Sequence, residues 1–238
     1  MRFVDEGWKK TMKKIWMTGL SAILMLPSLA PAQTITVQQG VKVGKVYVTG
    51  ENPGIRLLDK EGGTVLTAVS YWRLIWSPAG PGHIAFVTTG DGKSPGDLRL
   101  AFVDNRKLYD FLTREITTIT DPTFAARPYT IIQAKFVDSG QGTFSPSGDS
   151  MSERKVTFKA PRYNVALVWR DFYEPFQVDS PANSGGRNPF GVTSLFIPAK
   201  AADVIINGKK AVGNVYPQMR GPVQSSSAFL AFSESWVK

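Results

Sequence analysis

The chain of 238 residues contains no cysteine. Without a thiol it can form no disulfide, no thiolate metal site and no cysteine nucleophile. It also offers no residue to carry the lipid of a lipoprotein, so we expect no membrane anchor. The longest apolar run, Ile15 to Leu26, is short of the roughly 20 residues that span a bilayer. A packed core must therefore stabilise the fold.

Histidine is almost absent as well, since His83 is the only one. A zinc site built on two or three imidazoles is thereby excluded. A Ser-His-Asp triad needs a single imidazole, but we single out no serine as its partner. Neither Gly-x-Gly-x-x-Gly nor Gly-x-x-x-x-Gly-Lys-Ser/Thr occurs, which leaves a bound nucleotide without support. We predict no cofactor and no metal.

One acidic turn could still suggest calcium. Residues Asp91 to Asp97 place two carboxylates among glycines and a proline. They lack the spacing of a calcium-binding loop, so we favour a β-turn with an aspartate cap over a metal site.

The charge is positive but spread along the chain. Lysine and arginine number 28 against 19 acidic residues, for a formal net charge of +9. No run of five or six like charges occurs, so we favour a solvated surface over a site for a polyanion. Trp72, Trp76 and Trp169 lie in alternating segments that are typical of core positions, not of exposed stacking platforms. We expect no nucleic-acid partner.

The N-terminal segment has the pattern of a secretory signal peptide. A short basic stretch begins at Met12, the apolar run follows, and Ala30-Pro31-Ala32 supplies an Ala-x-Ala cleavage site. Carboxylates among the first eleven residues suit an export start poorly, so we take Met12 as the true initiator. Residues 1–32 are predicted to be an extension plus signal peptide, and residues 33–238 one β-rich domain. The localisation predicted is periplasmic or secreted.

Alternation of apolar and polar residues, broken by Gly, Pro, Asn and Asp, is the main pattern of the remaining chain. It predicts strands at Val41–Thr49, Ile55–Leu58, Thr64–Trp76, His83–Thr89, Asp97–Val103, Tyr129–Val137, Lys155–Ala160, Tyr163–Arg170, Val192–Ile197, Val204–Ile206 and Ala228–Trp236. The fold predicted is mainly β, either an antiparallel β-barrel or a two-sheet β-sandwich. This layout broadly resembles lipocalin-type barrels, a resemblance of layout alone.

One helix and one hairpin interrupt the pattern. Asp104 or Asn105 can cap a helix near 105–116, whose apolar stripe predicts packing outside the sheet in preference to plugging one end. Asn207-Gly208 predicts a type I′ hairpin turn. The segments Ser139–Ser152 and Ser180–Gly191 are rich in turn residues and are predicted to be long loops.

The densest chemical cluster follows the strand from Tyr163. Trp169, Arg170, Asp171, Tyr173 and Glu174 combine aromatic rings, a guanidinium and two carboxylates. Asp171 and Glu174 could act as acid and base, and Arg170 could grip a carboxylate. The alternative, which we favour, is a surface ion pair of Arg170 with Asp171 or Glu174 beside a core Trp169.

A second aromatic group surrounds Arg73. In residues 71–76, Trp76 belongs to one strand face and Arg73 to the other. An unpaired buried charge costs several kcal/mol, so Arg73 needs water or a partner. It would anchor an anionic ligand if its face lines a cavity, and would be an ordinary surface residue if that face meets solvent.

These patterns favour an exported binding or accessory protein that holds a small apolar or anionic ligand in a β pocket. The ligand-binding residues predicted are Arg73, Trp76, Tyr163, Trp169, Arg170 and Tyr173. The alternative is a cofactor-independent lyase, isomerase or hydrolase that uses Asp171, Glu174 and His83 as catalytic residues. An envelope-assembly component is a third possibility, and the oligomeric state is open.

Overall fold

The computed structural model describes residues 45–90, 96–116, 135–137, 143–183 and 189–238. Several predictions fall wholly or partly elsewhere: the signal peptide, the start of the strand from Val41, residues 91–95 of the acidic turn, most of the strand from Tyr129, and parts of both long loops. Those segments lie outside the described residues.

Strands make up most of the described chain, as the alternation predicts. They are β1 Val46–Glu51, β2 Gly54–Leu58, β3 Val65–Trp76, β4 Gly82–Thr89, β5 Arg99–Val103, β6 Lys135–Val137, β7 Phe144–Gly148, β8 Glu153–Ala160, β9 Tyr163–Phe172, β10 Phe176–Ser180, β11 Gly191–Ile206, β12 Lys209–Lys210, β13 Pro217–Arg220, β14 Val223–Ser226 and β15 Ala228–Val237. Helix α1, Arg106–Phe111, continues as one π-helical turn, Leu112–Ile116.

One large sheet holds thirteen of these strands. Its main order is β6-β5-β4-β3-β1-β15-β11-β9-β8-β7, with β2, β10 and β12 pairing beside this path. The recorded pairs are antiparallel except for β5 and β6, which are parallel. Strands β13 and β14 form a separate hairpin. The mainly β prediction is confirmed; the order of the described strands has two ends, and the barrel and the sandwich stay predictions.

The sheet curls so that distant strands face each other across the larger core. Phe102 of β5 lies 4.9 Å from Phe158 of β8 between ring centroids, although four or more strands separate them in the sheet. Val165, Leu167 and Trp169 alternate along β9 and are fully buried in this core. Their shared face is the one that the alternation predicts. We call the surface toward this core the inner face.

Helix α1 covers the opposite face of the sheet. Leu108, Phe111 and Leu112 pack there with Trp72 and Ile84 in a second core. The Asn105 side chain caps the helix by accepting the Leu108 N–H. A helix outside the sheet is therefore confirmed, and the sheet is covered on both sides.

Local turn chemistry explains both a success and a miss. Asn207 and Gly208 have φ angles of 50° and 79° and join β11 to β12, which confirms the predicted hairpin. Strand β7, however, lies inside the segment predicted as a loop. Pro146 occurs within it, and an edge strand tolerates a proline because its outer side needs no ladder hydrogen bonds.

Strand β11 is a single element where two strands were predicted. Its neighbour on one side changes along the strand: β11 pairs with β10 as far as Phe196 and with β9 from Ala199 onward. Pro198 lies at this change, so its missing N–H falls where the ladder is interrupted. Pro198, which lies between the two predicted strands, thus marks the point at which β11 changes its neighbouring strand.

Candidate functional site

A row of polar residues crosses four neighbouring strands at one rim of the inner face. The β1–β3 register places Glu51 opposite Arg73, and the β3–β4 register places Arg73 opposite His83. Asp104 follows β5 directly and donates its N–H to the His83 carbonyl. Directly opposite residues have neighbouring side chains on one face. We call Glu51, Arg73, His83 and Asp104 the polar row.

An open cavity of about 560 Å³ lies at this row. Arg73, His83 and Asp104 contribute the charged and polar wall, and Leu74 and Ile75 contribute an apolar part. The Ile75 side chain is largely exposed, so the cavity combines polar groups with accessible apolar surface. That combination is the usual lining of a small-molecule site.

Asp104 holds His83 through two contacts. One carboxylate oxygen accepts the His83 backbone N–H at 2.6 Å, and the other lies 2.6 Å from Nδ1 of the ring. This carboxylate favours the tautomer with a proton on Nδ1, which leaves Nε2 as the nitrogen for a ligand. Asp104 is placed there because it lies between the end of β5 and the cap of α1.

Glu51 bridges two arginines. Its carboxylate lies 2.6 Å from Nη1 of Arg73 and 3.4 Å from Nη2 of Arg154, which reaches across from β8. The Glu51 and Arg154 side chains are mostly buried, whereas the Arg73 side chain is 40% exposed. Two guanidinium groups thus share one carboxylate, and the accessible one adjoins the cavity.

Tyr71 lies two residues before Arg73 on the same strand face and is fully buried. Among the buried side chains that the structure describes, its hydroxyl is the one polar atom without a hydrogen-bond partner. Burial raises the pKa of Tyr71, and the Glu51 carboxylate raises it further, so the hydroxyl keeps its proton. The Tyr71 ring stacks on the His83 ring, with centroids 6.2 Å apart, which places Tyr71 beside the polar row.

Phe144 covers this part of the inner face. Its ring stacks on His83 at 5.1 Å and on Tyr71 at 6.0 Å between centroids. It comes from β7, an end strand of the sheet that pairs only with β8 among the recorded ladders. A strand at the edge of the sheet therefore supplies the ring over the site.

Two of the predicted site residues, Arg73 and His83, meet in this cavity. The others lie elsewhere. Trp169 is fully buried and donates its indole N–H to the Gly54 carbonyl at 3.1 Å. Tyr163 packs edge-on against Phe102, with ring centroids 5.6 Å apart.

The residues of the cluster at 169–174 do not form one site in the structure. The Arg170 side chain pairs with Asp203, while Asp171 and Glu174 are exposed. Lys200 stacks over the Tyr173 ring at 5.1 Å. Trp76 ends β3, is 46% exposed and does not line the described cavity.

Sequence reasoning missed the partners that complete the site. Asp104 was read only as a helix cap, and Glu51 and Arg154 were not considered. Hairpin pairing of β3 with β4 could have placed Arg73 beside His83, since Ser77 to Pro81 form a short connection rich in turn residues. No local signal places Arg154, which reaches the row only because the sheet curls.

A motif that the sequence reading passed over is Gly92-Lys93-Ser94-Pro95-Gly96, which has Gly-x-Ser-x-Gly spacing. The nucleophile elbow with this spacing joins a strand to a helix. Here the motif joins two antiparallel strands, β4 and β5. Ser94 itself lies outside the described residues, and we give it no role.

A buried carboxyl group lies apart from the cavity. Glu234 accepts hydrogen bonds from Asn52 Nδ2 at 3.0 Å and from Trp236 Nε1 at 2.7 Å. Burial raises its pKa, although those donors and the charge of Arg220 act in the opposite direction. Glu234 is therefore a structural hydrogen-bonding centre between strands.

Within the described ranges, no three acidic or histidine side chains gather in a way that could hold a metal ion. No helix in those ranges is long and apolar enough to cross a membrane. The fold class is that of a mainly β protein with a large, curled antiparallel sheet. No protein-family model, curated protein or solved structure matches the chain.

Proposed function

We propose that the protein binds a small anionic ligand, such as a carboxylate, between Arg73 and His83. The observation that carries this proposal is the pairing of these residues across β3 and β4 at the wall of an open cavity. Glu51 and Asp104 orient the two side chains from either end of the polar row. A site prepared in this way loses little side-chain freedom on binding.

The donors available suit an anion. A guanidinium carries five N–H groups, and only Nη1 of Arg73 contacts Glu51. The remaining donors can take a carboxylate or phosphate oxygen, and His83 adds an N–H from Nε2 when both of its ring nitrogens carry a proton. The exposed side chain of Ile75 offers apolar surface to the body of the ligand.

The proposal extends to location and architecture. The basic start, apolar run and Ala-x-Ala site of the N-terminal segment support an exported protein of the periplasm or beyond. There it would act as a binding or accessory protein. The curled sheet would serve as a lipocalin-like cup, with the ligand held at its rim.

Isothermal titration of the purified protein with small carboxylates and inorganic phosphate tests this proposal. We expect Arg73→Gln to weaken binding at least about tenfold, because it removes a charge-assisted hydrogen bond. Arg162→Gln is the matched control, since Arg162 is exposed at the far end of β8. Equal binding by the two variants, or no binding of any probe by the native protein, would refute the proposal.

The His83–Asp104 contact supports a second candidate, an acid–base enzyme. His83 Nε2 could accept a proton while Asp104 stabilises the resulting imidazolium. Asp171 and Glu174 would then have no part, because both are exposed away from this pair. Nuclear magnetic resonance spectra of each bound probe, recorded over hours, distinguish the candidates: conversion of the probe indicates an enzyme, and an unchanged probe indicates a binding protein.

A further inference from the structure

Beside the polar row, the Tyr71 hydroxyl is the one buried side-chain polar atom of the described residues that has no hydrogen-bond partner. A buried hydroxyl without a partner lowers stability, because it has lost its water without compensation. Its raised pKa leaves it a proton donor at neutral pH. A ligand that brings an acceptor oxygen would supply the missing partner.

We propose that Tyr71 is a specificity-determining residue, whose hydroxyl donates a hydrogen bond to a second oxygen of the ligand. The ligand class is then a small carboxylate that also carries a carbonyl or hydroxyl oxygen. Arg73 and His83 hold the carboxylate, and Tyr71, two residues deeper on the same face of β3, reads the second oxygen. This inference rests on the anion site of the proposed function.

Access to the hydroxyl requires a displacement of Phe144. Tyr71 is not among the residues that line the cavity, and the Phe144 ring stacks on both Tyr71 and His83, which does line it. Strand β7 has a recorded ladder on one side only, which makes a local shift of this strand less costly than a shift of an interior strand. Arg73 has the most exposed side chain of the polar row, so a ligand that arrives from solvent meets it first.

A buried donor without a partner gives strong discrimination. A site that can hydrogen-bond a ligand oxygen rejects the analogue that lacks it, because the polar group is otherwise left unpaired. The same hydroxyl contributes nothing favourable when the ligand is absent. Tyr71→Phe should therefore weaken recognition of the second ligand oxygen without lowering the stability of the protein.

The test compares plain and oxygenated carboxylates by titration: propionate with pyruvate, and pentanoate with levulinate. We expect the native protein to bind the oxo acid of at least one pair more tightly, by about fivefold or more, and Tyr71→Phe to abolish that preference. The plain carboxylates should bind both proteins equally. The melting temperature of Tyr71→Phe without ligand should equal or exceed that of the native protein.

In the competing explanation, an ordered water is the hydrogen-bond partner of the Tyr71 hydroxyl. The same titrations and melting temperatures decide between this water and a ligand oxygen. If Tyr71→Phe keeps the native preference, or melts several degrees lower, the hydroxyl has its partner inside the folded protein and the proposal is wrong. If the proposed anion site itself is wrong, a different result is expected: Arg73→Gln would bind every probe as tightly as the native protein does.

A measurement on native protein covers the case in which Tyr71→Phe fails to fold. With ¹³Cζ-labelled tyrosine, the Tyr71 resonance should shift on addition of the preferred oxo acid and stay unchanged with its plain partner. Equal responses to the two probes would overturn the assignment.

Discussion

Glu234 and Tyr71 acquire unusual properties only because they are buried. Each belongs to a residue type that is ordinary in a β protein, and neither lies in a recognisable motif. In the fold, Glu234 is 6% exposed and receives hydrogen bonds from two other side chains, whereas the Tyr71 hydroxyl receives and donates none among the described residues. The first is therefore expected to stabilise the sheet, and the second to serve recognition.

Glu234→Gln should flatten the pH dependence of stability. Because burial raises the folded pKa above the ordinary value of 4.5, the folded protein keeps a proton that the unfolded chain releases as the pH rises. The free energy of unfolding of the native protein therefore falls above that value until the folded pKa is passed. Glutamine preserves the acceptor oxygen for Asn52 and Trp236 without titrating.

Melting curves between roughly pH 4 and pH 8 measure this effect through the linkage of protonation and folding. Glu174→Gln serves as the control, because Glu174 is exposed and should leave the native slope intact. An identical slope in Glu234→Gln and the native protein would show that Glu234 is ionised in the fold.

Strand β15 contributes side chains to both cores because one residue interrupts its regular alternation. The register of β11 with β15 shifts between Thr193 and Leu195, and Ser233 has a φ of 50° at this bulge. Leu230 lies in the inner core before the bulge, while Trp236 packs against the second core after it. One inserted residue reverses the face of every later side chain, which is how Glu234 comes to point away from the inner core.

Ser233→Val should lower stability, whereas Ser233→Gly should not. Glycine adopts positive φ without strain, so we expect no loss, whereas a β-branched side chain there should cost about 1–3 kcal/mol. Urea denaturation followed by circular dichroism measures both. Gln177→Val, at an exposed strand position without positive φ, should change little. A neutral Ser233→Val would mean that the bulge is not built as described.

Over the full described fold, stability comes from a sheet that is buried on both faces. Aromatic contacts between Phe102 and Phe158 join the two arms of the curl, and Phe144 stacks beside them, 5.1 Å from Phe158. The candidate site lies next to this contact, so the curl that buries the inner core also brings Arg154 to Glu51. Core packing and site geometry are therefore coupled.

Phe158→Ala should lower the free energy of unfolding by about 3–5 kcal/mol, because the side chain is almost fully buried. Leu195→Ala, at a position 40% exposed, should cost much less. Equilibrium urea unfolding gives both values. A loss below about 1 kcal/mol for Phe158→Ala would indicate that the two arms are not held by this contact.

Much of the element pattern was accessible from local sequence. The strand from Tyr163, the outer helix with its Leu108 stripe and the Asn207-Gly208 turn all follow from interactions within a few residues. Prediction missed β10, β13 and β14. It also failed at β7, where an edge strand accommodates Pro146, and at β11, where Pro198 marks a change of neighbour. These last two failures depend on which strand lies alongside.

For the candidate site, composition and alternation singled out Arg73 and His83 but not the residues that orient them. Glu51 and Arg154 meet although 103 positions separate them, and Asn52 reaches Glu234 across 182 positions. Such contacts depend on strand order, register and the curl of the sheet, and local periodicity carries no information about these. Short-range chemistry therefore establishes a cysteine-free β protein with one helix, while long-range packing selects which of its charged and hydroxyl groups share a cavity.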